Sequence, residues 1–177
     1  MNRFENNDKI TSFLNNTKLL YEAFGIISLL YGSLGLEYLT SENLNSDDID
    51  ILIPELYLNK RWNKFCSVLY EDGYVLVDEK EHTFKKEGIC YSYARIEELK
   101  TFCDIPESEI QTKEENSVKF KILSLEQYLR VYTTSIKDGY RINVRKKKDN
   151  EKILFINARL SSKKGCNYET DKNKTRY

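Results

Sequence analysis

Proline, glycine and histidine are scarce in this sequence. Two prolines and seven glycines among 177 residues argue against a long flexible linker or a disordered chain. The single histidine, His82, has no Gly-x-Ser-x-Gly motif beside it, which argues against a Ser-His-Asp hydrolase. No Cys-x-x-Cys pair occurs, so neither a zinc knuckle nor a thioredoxin-like redox motif is supported. The four cysteines are widely scattered, at Cys66, Cys90, Cys103 and Cys166.

A long hydrophobic run is also missing. The first residues, Met1 to Glu5, contain no apolar signal core. The longest apolar stretch, residues 24–39, is interrupted by two serines and a glutamate and falls short of a membrane span. We therefore expect a cytosolic protein that does not interact with membranes.

Net charge is zero, but the charges are unevenly distributed. Lys and Arg number 28, and Asp and Glu also number 28. Residues 137–177 contain 13 basic and 5 acidic residues, a surplus of +8, so residues 1–136 carry −8. A uniformly basic nucleic-acid-binding surface is thus excluded, whereas an acidic body with a basic C-terminal portion is not. Hydrophobic residues make up 40% of the chain, which is enough for the core of one domain.

The hydrophobic pattern predicts mixed helices and strands in the first half of the chain. Asp48 to Ile53 alternates polar and apolar residues, ends at Pro54 and is the clearest strand. An apolar run between Gly25 and Gly32 indicates a buried strand. The predicted elements are a helix over 8–24, strands over 26–31 and 48–53, a helix over 34–39 and another over 55–72.

Short strands and then helices are predicted for the second half. Ser124 is a typical helix N-cap, and apolar residues follow it at helical spacing. The predicted elements are strands over 74–77, 83–86 and 89–95, a helix over 96–103, a hairpin over 110–123, a helix from 124 and a helix over 143–158. We expect a core over residues 1–123, a helical portion over 124–160 packed on it, and a mobile tail over 161–177.

Two carboxylates and a Gly-Ser pair suggest a chemistry. Side chains alternate across a strand, so Asp48 and Asp50 should share one face and repel each other unless a cation lies between them. Hard oxygen ligands of this kind suit Mg²⁺ or Mn²⁺. Gly32 and Ser33 open a predicted helix, where backbone N–H groups and the helix dipole favour phosphate. Together these features fit phosphoryl or nucleotidyl transfer.

Tyr31-Gly32-Ser33 followed by residues 46–53 resembles the nucleotidyltransferase superfold, and most of all its small bacterial members, the minimal and lincosamide nucleotidyltransferases. The resemblance covers about residues 10–158. It implies an α+β fold in which a mixed β-sheet is flanked by helices, with a short helical C-terminal portion. It also implies transfer of a nucleoside monophosphate from a nucleoside triphosphate to an acceptor hydroxyl. Asp48 and Asp50 would bind Mg²⁺ or Mn²⁺, and Gly32 and Ser33 would hold the phosphates.

Two features of the family pattern are missing here. Many members have an Arg shortly after Gly-Ser, whereas this chain continues Leu34-Gly35-Leu36-Glu37. Basic residues of the C-terminal portion, namely Lys137, Arg141 or Lys148, are candidates to contact the triphosphate instead. Catalytic members also have a third carboxylate on a later strand, but residues 89–95 contain none. Glu97 is the candidate for this metal ligand and acceptor base, and Glu98 and Asp104 are weaker alternatives.

Three functions remain open on these grounds. The first is a metal-dependent nucleotidyltransferase whose acceptor is a small molecule, a protein or an RNA end. The second is a nucleotidyltransferase-fold binding module without turnover, such as an antitoxin-like partner subunit; a partner protein or a homodimer is possible. The third is a metal-dependent nuclease using Asp48 and Asp50. The acidic body disfavours RNA, because affinity for polyanions comes chiefly from Lys and Arg.

Overall fold

The computed structural model describes residues 3–137 and 146–171 of the chain, with side chains over 8–137 and 148–162. The chain divides into two compact units, Met1–Leu123 and Ser124–Tyr177. The first unit contains a sheet with its helices, and helices are also found in the described part of the second. None of the described helices is long and apolar enough to cross a membrane.

The first unit is built on one seven-stranded sheet with the strand order β3-β4-β5-β2-β1-β7-β6. β2 pairs in parallel with β5 and antiparallel with β1, and β1 pairs in parallel with β7. The sheet is therefore mixed, and the predicted α+β class is confirmed. Its strands are β1 (Leu29–Leu30), β2 (Ile49–Ile53), β3 (Val75–Asp78), β4 (Thr83–Lys86), β5 (Ile89–Arg95), β6 (Gln111–Glu115) and β7 (Val118–Ile122). Its helices are α1 (Arg3–Phe24), α2 (Gly32–Thr40), α3 (Trp62–Glu71) and α4 (Glu97–Cys103).

The main core lies on one face of this sheet. Ile49, Ile51 and Ile53 alternate along β2 and are fully buried in it. Aromatic rings from the helices meet rings from the strands edge to face, with Phe65 5.1 Å from Tyr93 and the rings at 85°. This geometry suits the quadrupoles of aromatic rings and adds to the gain from burying their apolar area. Because strand residues alternate, Asp50 lies on the opposite face of the sheet from these isoleucines.

Two of the predicted elements differ in the structure. The continuous helix expected over residues 55–72 is wrong, because a 3-10 helix (Glu55–Tyr57) and a turn precede α3. In that turn Trp62 N–H donates to the Asn59 carbonyl, and the Asn59 side chain accepts from Lys60 N–H. Asparagine often stops a helix through such local bonds. The strand expected over 26–31 is reduced to the two residues of β1.

The described residues of the second unit form two helices, α5 (Leu125–Ser135) and α6 (Lys146–Asp171). Ser124 caps α5 as predicted, since its hydroxyl accepts from Gln127 N–H at 3.2 Å and the Gln127 side chain accepts from Ser124 N–H at 2.9 Å. Asp149 is buried and accepts a hydrogen bond from the Ser135 hydroxyl at 2.9 Å, which ties α6 to the end of α5. α6 continues past Ser161, into the segment for which the sequence predicts a tail.

Candidate functional site

Gly32 is the first residue of α2, and the Asp50 carboxylate lies directly against it. Gly32 has a φ of +63°, a conformation that residues with a side chain rarely adopt. A Cβ atom at this position would lie 1.9 Å from Asp50 Oδ2 and 2.8 Å from its Cγ. Glycine is therefore required here for two reasons, the backbone conformation and the close approach of a carboxylate.

Pairing of β1 with β2 holds these two residues together. Leu30 pairs with Ile51, and Tyr31 N–H donates to the Asp50 carbonyl at 2.9 Å. Tyr31 is also the N-cap of α2, so the helix begins where the chain leaves β1. The first N–H groups of a helix have no partner within it. The helix N-terminus with Gly32 and Ser33 is thus placed beside Asp50.

Asp48 comes immediately before β2 and is half-buried, as is Asp50. The structure therefore brings together three of the residues that the sequence selects, Gly32, Ser33 and Asp50, and places Asp48 at the start of the same strand. Within residues 3–137 and 146–171, no group of three or more His, Cys, Asp or Glu is arranged to hold a metal ion.

The neighbouring strand β5 presents a serine at the position beside Asp50. β2 and β5 run parallel with Asp50 in register with Ser92. The Ser92 hydroxyl lies 3.0 Å from the hydroxyl of Thr83 on β4. Cys90, two residues earlier on the same face of β5, is half-buried with a free thiol. The sheet therefore places hydroxyl and thiol groups beside the two aspartates, where the sequence suggests a carboxylate.

Glu97 lies near the other end of β2. Both of its carboxylate oxygens accept from Glu55 N–H, at 3.0 and 3.2 Å, where they cap the 3-10 helix. Asp50 and Ile53 are about 10 Å apart at about 3.3 Å per residue, and Glu55 lies beyond Ile53. The structure therefore does not bring Glu97 to Asp48 and Asp50.

The two weaker alternatives also have other partners. Glu98 forms an ion pair with Arg95 at 2.6 Å, and Asp104 pairs with Lys100 four residues earlier. The side chains of both ion pairs are about half exposed to solvent or more. Exposed ion pairs of this kind contribute little to stability. Their carboxylates are held on and near α4 rather than on β5.

The basic residues proposed for the triphosphate belong to the second unit. Lys137 and Lys148 are both exposed. Arg141 lies outside the described residues. Contact of Lys137 or Lys148 with a nucleotide therefore stays a prediction.

One site residue was not selected from the sequence. Glu37, on α2, is 4% exposed, and its carboxylate accepts three hydrogen bonds from the segment that leads to Asp48. A single acid within the apolar run 34–39 was the signal that could have identified it, because buried acids need several donors.

No protein-family model matches the chain. The chain is 39% identical over 145 residues to the uncharacterized protein YnaI of Bacillus subtilis (strain 168), an alignment that covers 82% of this chain and 93% of YnaI. The chain belongs to the same family as YnaI.

Solved structures of nucleotidyltransferases resemble this one. An antigenic nucleotidyltransferase-like protein from Paracoccidioides brasiliensis superposes with a TM-score of 0.56 at 15% identity, covering 82% of this chain and 73% of that protein. ANT(2")-Ia in complex with adenylyl-2"-tobramycin superposes with a TM-score of 0.55 at 10% identity, covering 88% of this chain and 92% of that one. At such identities the likeness is one of fold, and the predicted nucleotidyltransferase fold is confirmed.

Proposed function

We propose that this member of the YnaI family is a metal-dependent nucleotidyltransferase, which moves a nucleoside monophosphate from a nucleoside triphosphate to an acceptor hydroxyl. The observation that carries the proposal is the contact of Gly32 with Asp50. A helix N-terminus without a side chain at its first residue lies against a carboxylate, and a Cβ there would be 1.9 Å from Oδ2. This contact supports a site at which phosphate and a metal ion would be bound side by side.

Asp48 and Asp50 fit a magnesium or manganese ion. Both are hard oxygen donors, and Mg²⁺ typically takes one or two protein carboxylates while keeping water and phosphate oxygens as its other ligands. Two carboxylates beside a helix N-terminus match that need better than a closed set of protein ligands would. When bound, such an ion neutralises phosphate charge and stabilises the attacking and leaving oxygens.

The backbone at the start of α2 binds the phosphates in this proposal. N–H groups of Gly32 and Ser33 have no partner within the helix and donate to the β- and γ-phosphate oxygens. The acceptor oxygen would then attack the α-phosphorus in line and lose its proton to water, while the bond from the α-phosphorus to the bridging oxygen breaks and pyrophosphate leaves from the opposite side. Asp50, whose backbone carbonyl accepts from Tyr31 N–H, would hold the metal ion that binds the triphosphate.

Calorimetry with Mg²⁺ and each of the four ribonucleoside triphosphates tests this function. We expect binding that requires Mg²⁺ and that Asp48→Ala and Asp50→Ala each weaken by at least about 10-fold, because loss of residues that only orient metal ligands already costs about 10- to 100-fold. Asp78→Ala is the matched control, because Asp78 is an exposed aspartate at the end of another strand, β3. Unchanged binding in the Asp48→Ala/Asp50→Ala variant would contradict the proposal.

Cys90 offers a probe of where the nucleotide binds. A variant in which the other three cysteines are replaced by serine leaves one thiol, beside Ser92 on the Asp50 face of the sheet. Magnesium and a nucleoside triphosphate should slow alkylation of Cys90 at least fivefold, because a nucleotide over Asp50 would cover it. Equal alkylation rates with and without a nucleotide that binds by calorimetry would place the nucleotide elsewhere.

A binding module without turnover is the second candidate, and Ser92 favours it. No carboxylate stands beside Asp50 on β5, and Glu97 is bonded at the far end of β2, so a base for the acceptor hydroxyl is not evident among the described residues. Pyrophosphate release distinguishes the two. Nucleotide binding without pyrophosphate release, across a panel of small hydroxylated compounds, proteins and RNA, would favour the binding module.

The net charge of the protein indicates which acceptors of that panel to expect. Residues 1–136 carry a net charge of −8, which favours cationic acceptors over RNA. ANT(2")-Ia was solved with adenylyl-2"-tobramycin, so aminoglycosides belong in the panel. Transfer to a cationic hydroxylated compound that weakens at high salt is the expected result.

A further inference from the structure

A buried acid on α2 is bonded to the loop that leads to Asp48. Glu37 is 4% exposed. Its Oε1 accepts from Leu44 N–H at 2.8 Å and from Ser46 N–H at 2.9 Å, and its Oε2 accepts from the Ser46 hydroxyl at 2.9 Å. An ionised carboxylate is costly to bury unless several donors satisfy it. Three donors from one loop meet that condition and hold the loop to the helix.

Ser46 is held through all of its polar groups. Its N–H and hydroxyl bind Glu37, and its carbonyl accepts from the ammonium group of Lys9 on α1. Ser46 is itself 5% exposed. Only Asp47, which is exposed, separates this fixed residue from Asp48. The position of Ser46 therefore limits where the Asp48 backbone can lie.

The other parts of α2 are fixed as well. Its first residue, Gly32, lies against Asp50. Next to Glu37, the Tyr38 hydroxyl donates to Glu115 at 2.7 Å and its ring packs edge-on against Phe120 at 5.5 Å. Burial, helped by the bond to Glu115, raises the pKa of Tyr38 to about 12. One rigid helix thus contacts both Asp50 and the loop before Asp48.

We propose that Glu37 is a positioning residue, which sets the distance between Asp48 and the Gly32–Ser33 start of α2 by fixing Ser46 to α2. The inference rests on the proposed function, since it concerns how Asp48 is placed for a metal–nucleotide complex. Glu37 contacts neither metal nor nucleotide in this role. Its effect passes through Ser46 and the two residues that follow.

Calorimetry of manganese binding in the presence of ATP, carried out on variants of Glu37, tests this role. Glu37→Ala removes three hydrogen bonds and should weaken manganese affinity about 10-fold or more, the range typical of residues that orient metal ligands. Glu37→Gln should restore affinity to within about threefold, because its amide oxygen can accept from both backbone N–H groups and its amide nitrogen can donate to the Ser46 hydroxyl. Ser46→Ala, which keeps the backbone bonds, should have an intermediate effect.

Leu69→Ala is the control variant for a loss of stability that leaves the site unchanged. Leu69 is fully buried on α3, and its truncation lowers stability without touching α2 or the loop. Manganese affinity within about twofold of wild type in Leu69→Ala, together with a loss in Glu37→Ala, supports the proposal. Equal losses in both variants, or wild-type affinity in Glu37→Ala, would overturn it. If Glu37→Ala does not fold, Ser46→Ala decides instead: a loss of manganese affinity larger than that of Leu69→Ala supports the proposal, and wild-type affinity overturns it.

Amide hydrogen exchange separates this inference from the proposed function. If the wild-type protein does not bind manganese and ATP, the proposed function fails, and exchange alone then decides whether Glu37 holds the loop. Faster exchange of the Leu44 and Ser46 amides in Glu37→Ala, with little change in β2, supports the fixation of Ser46. Unchanged exchange at both amides would refute it.

Discussion

Strand β2 has carboxylates near both of its ends, and the two groups have different surroundings. At the beginning, Asp50 lies against Gly32, where no side chain could be accommodated. Beyond the other end, Glu97 accepts from Glu55 N–H, and the Glu55 carboxylate pairs with Arg95 at 3.2 Å. Arg95 also pairs with Glu98. Carboxylates at the second end are thus committed to a helix cap and an arginine.

The difference shows that a carboxylate's role follows from its neighbours and not from its residue type. Backbone N–H groups and a guanidinium at the Glu97 end satisfy negative charge from within the protein. At the Asp50 end the neighbours are a glycine, a helix N-terminus and the hydroxyl of Ser92. The proposed function uses the first end of β2 for binding, while the contacts at the second end support the structure.

Gly32→Ala is expected to have the largest effect on this comparison. The Cβ of the new alanine would overlap the Asp50 carboxylate, so the Asp50 side chain must turn away. Nucleotide binding should then fall at least tenfold. Stability should fall by about 1–2 kcal/mol, because Gly32 has a positive φ. Calorimetry and urea unfolding measure the two effects.

Gly88→Ala is the matched control for that variant. Gly88 also has a positive φ, +85°, but a Cβ there would have nothing within 4 Å. It should lose a similar amount of stability, about 1–2 kcal/mol, while nucleotide binding stays unchanged. If both variants bind nucleotide equally well, the contact of Gly32 with Asp50 has no part in binding.

Glu97→Ala tests the end of β2 at which Glu97 supports the structure. The variant removes the two bonds to Glu55 N–H, and loss of a helix cap of this kind costs about 1 kcal/mol. Nucleotide affinity should stay within about twofold of wild type. Loss of pyrophosphate release with stability and binding intact would instead restore the catalytic role that the sequence suggests for Glu97.

Titration of His82, which lies near Arg95, should have the smallest effect on stability. Burial, and then the charge of Arg95, lower the pKa of His82 below its usual 6.5. Because the fold favours the neutral ring, this contribution to stability is present above pH 6.5 and is lost as the pH falls towards the lowered pKa. The His82 ring is 4.9 Å from Trp62, the only tryptophan, so Trp62 fluorescence should titrate with a midpoint below 6.5.

His82→Asn is the control for that titration. Asparagine tolerates the positive φ of +47° at this position, so the backbone conformation can be kept. The fluorescence change below pH 6.5 should disappear in the variant, and its stability should fall less on acidification. A midpoint at or above 6.5 in the wild-type protein would contradict the burial of the ring.

Local patterns predicted much of the fold. Strands β4 and β5 have the expected bounds, and Ser124 caps α5 as its neighbours indicated. These features depend on alternation and capping within a few residues of sequence. Residues 55–72 were harder, because a bond between the Asn59 side chain and the next residue competes with helix formation.

The candidate site was predictable only in part. Gly32, Ser33, Asp48 and Asp50 could be selected because each lies in a short pattern with a chemical meaning. Glu37 could not be assigned, since its donors, Leu44 and Ser46, lie seven and nine residues away, where spacing alone does not indicate contact.

The sequence by itself determined the chemistry that is available: two aspartates spaced for a strand, a Gly-Ser pair before a helix, and a chain with an acidic body. Tertiary structure alone decided which groups meet. The pairing of β2 with β5 placed Ser92 beside Asp50, and the turn after Pro54 gave Glu97 a backbone N–H to bind. The physical reason is that strand register is set by packing of the whole buried face, which no local segment specifies.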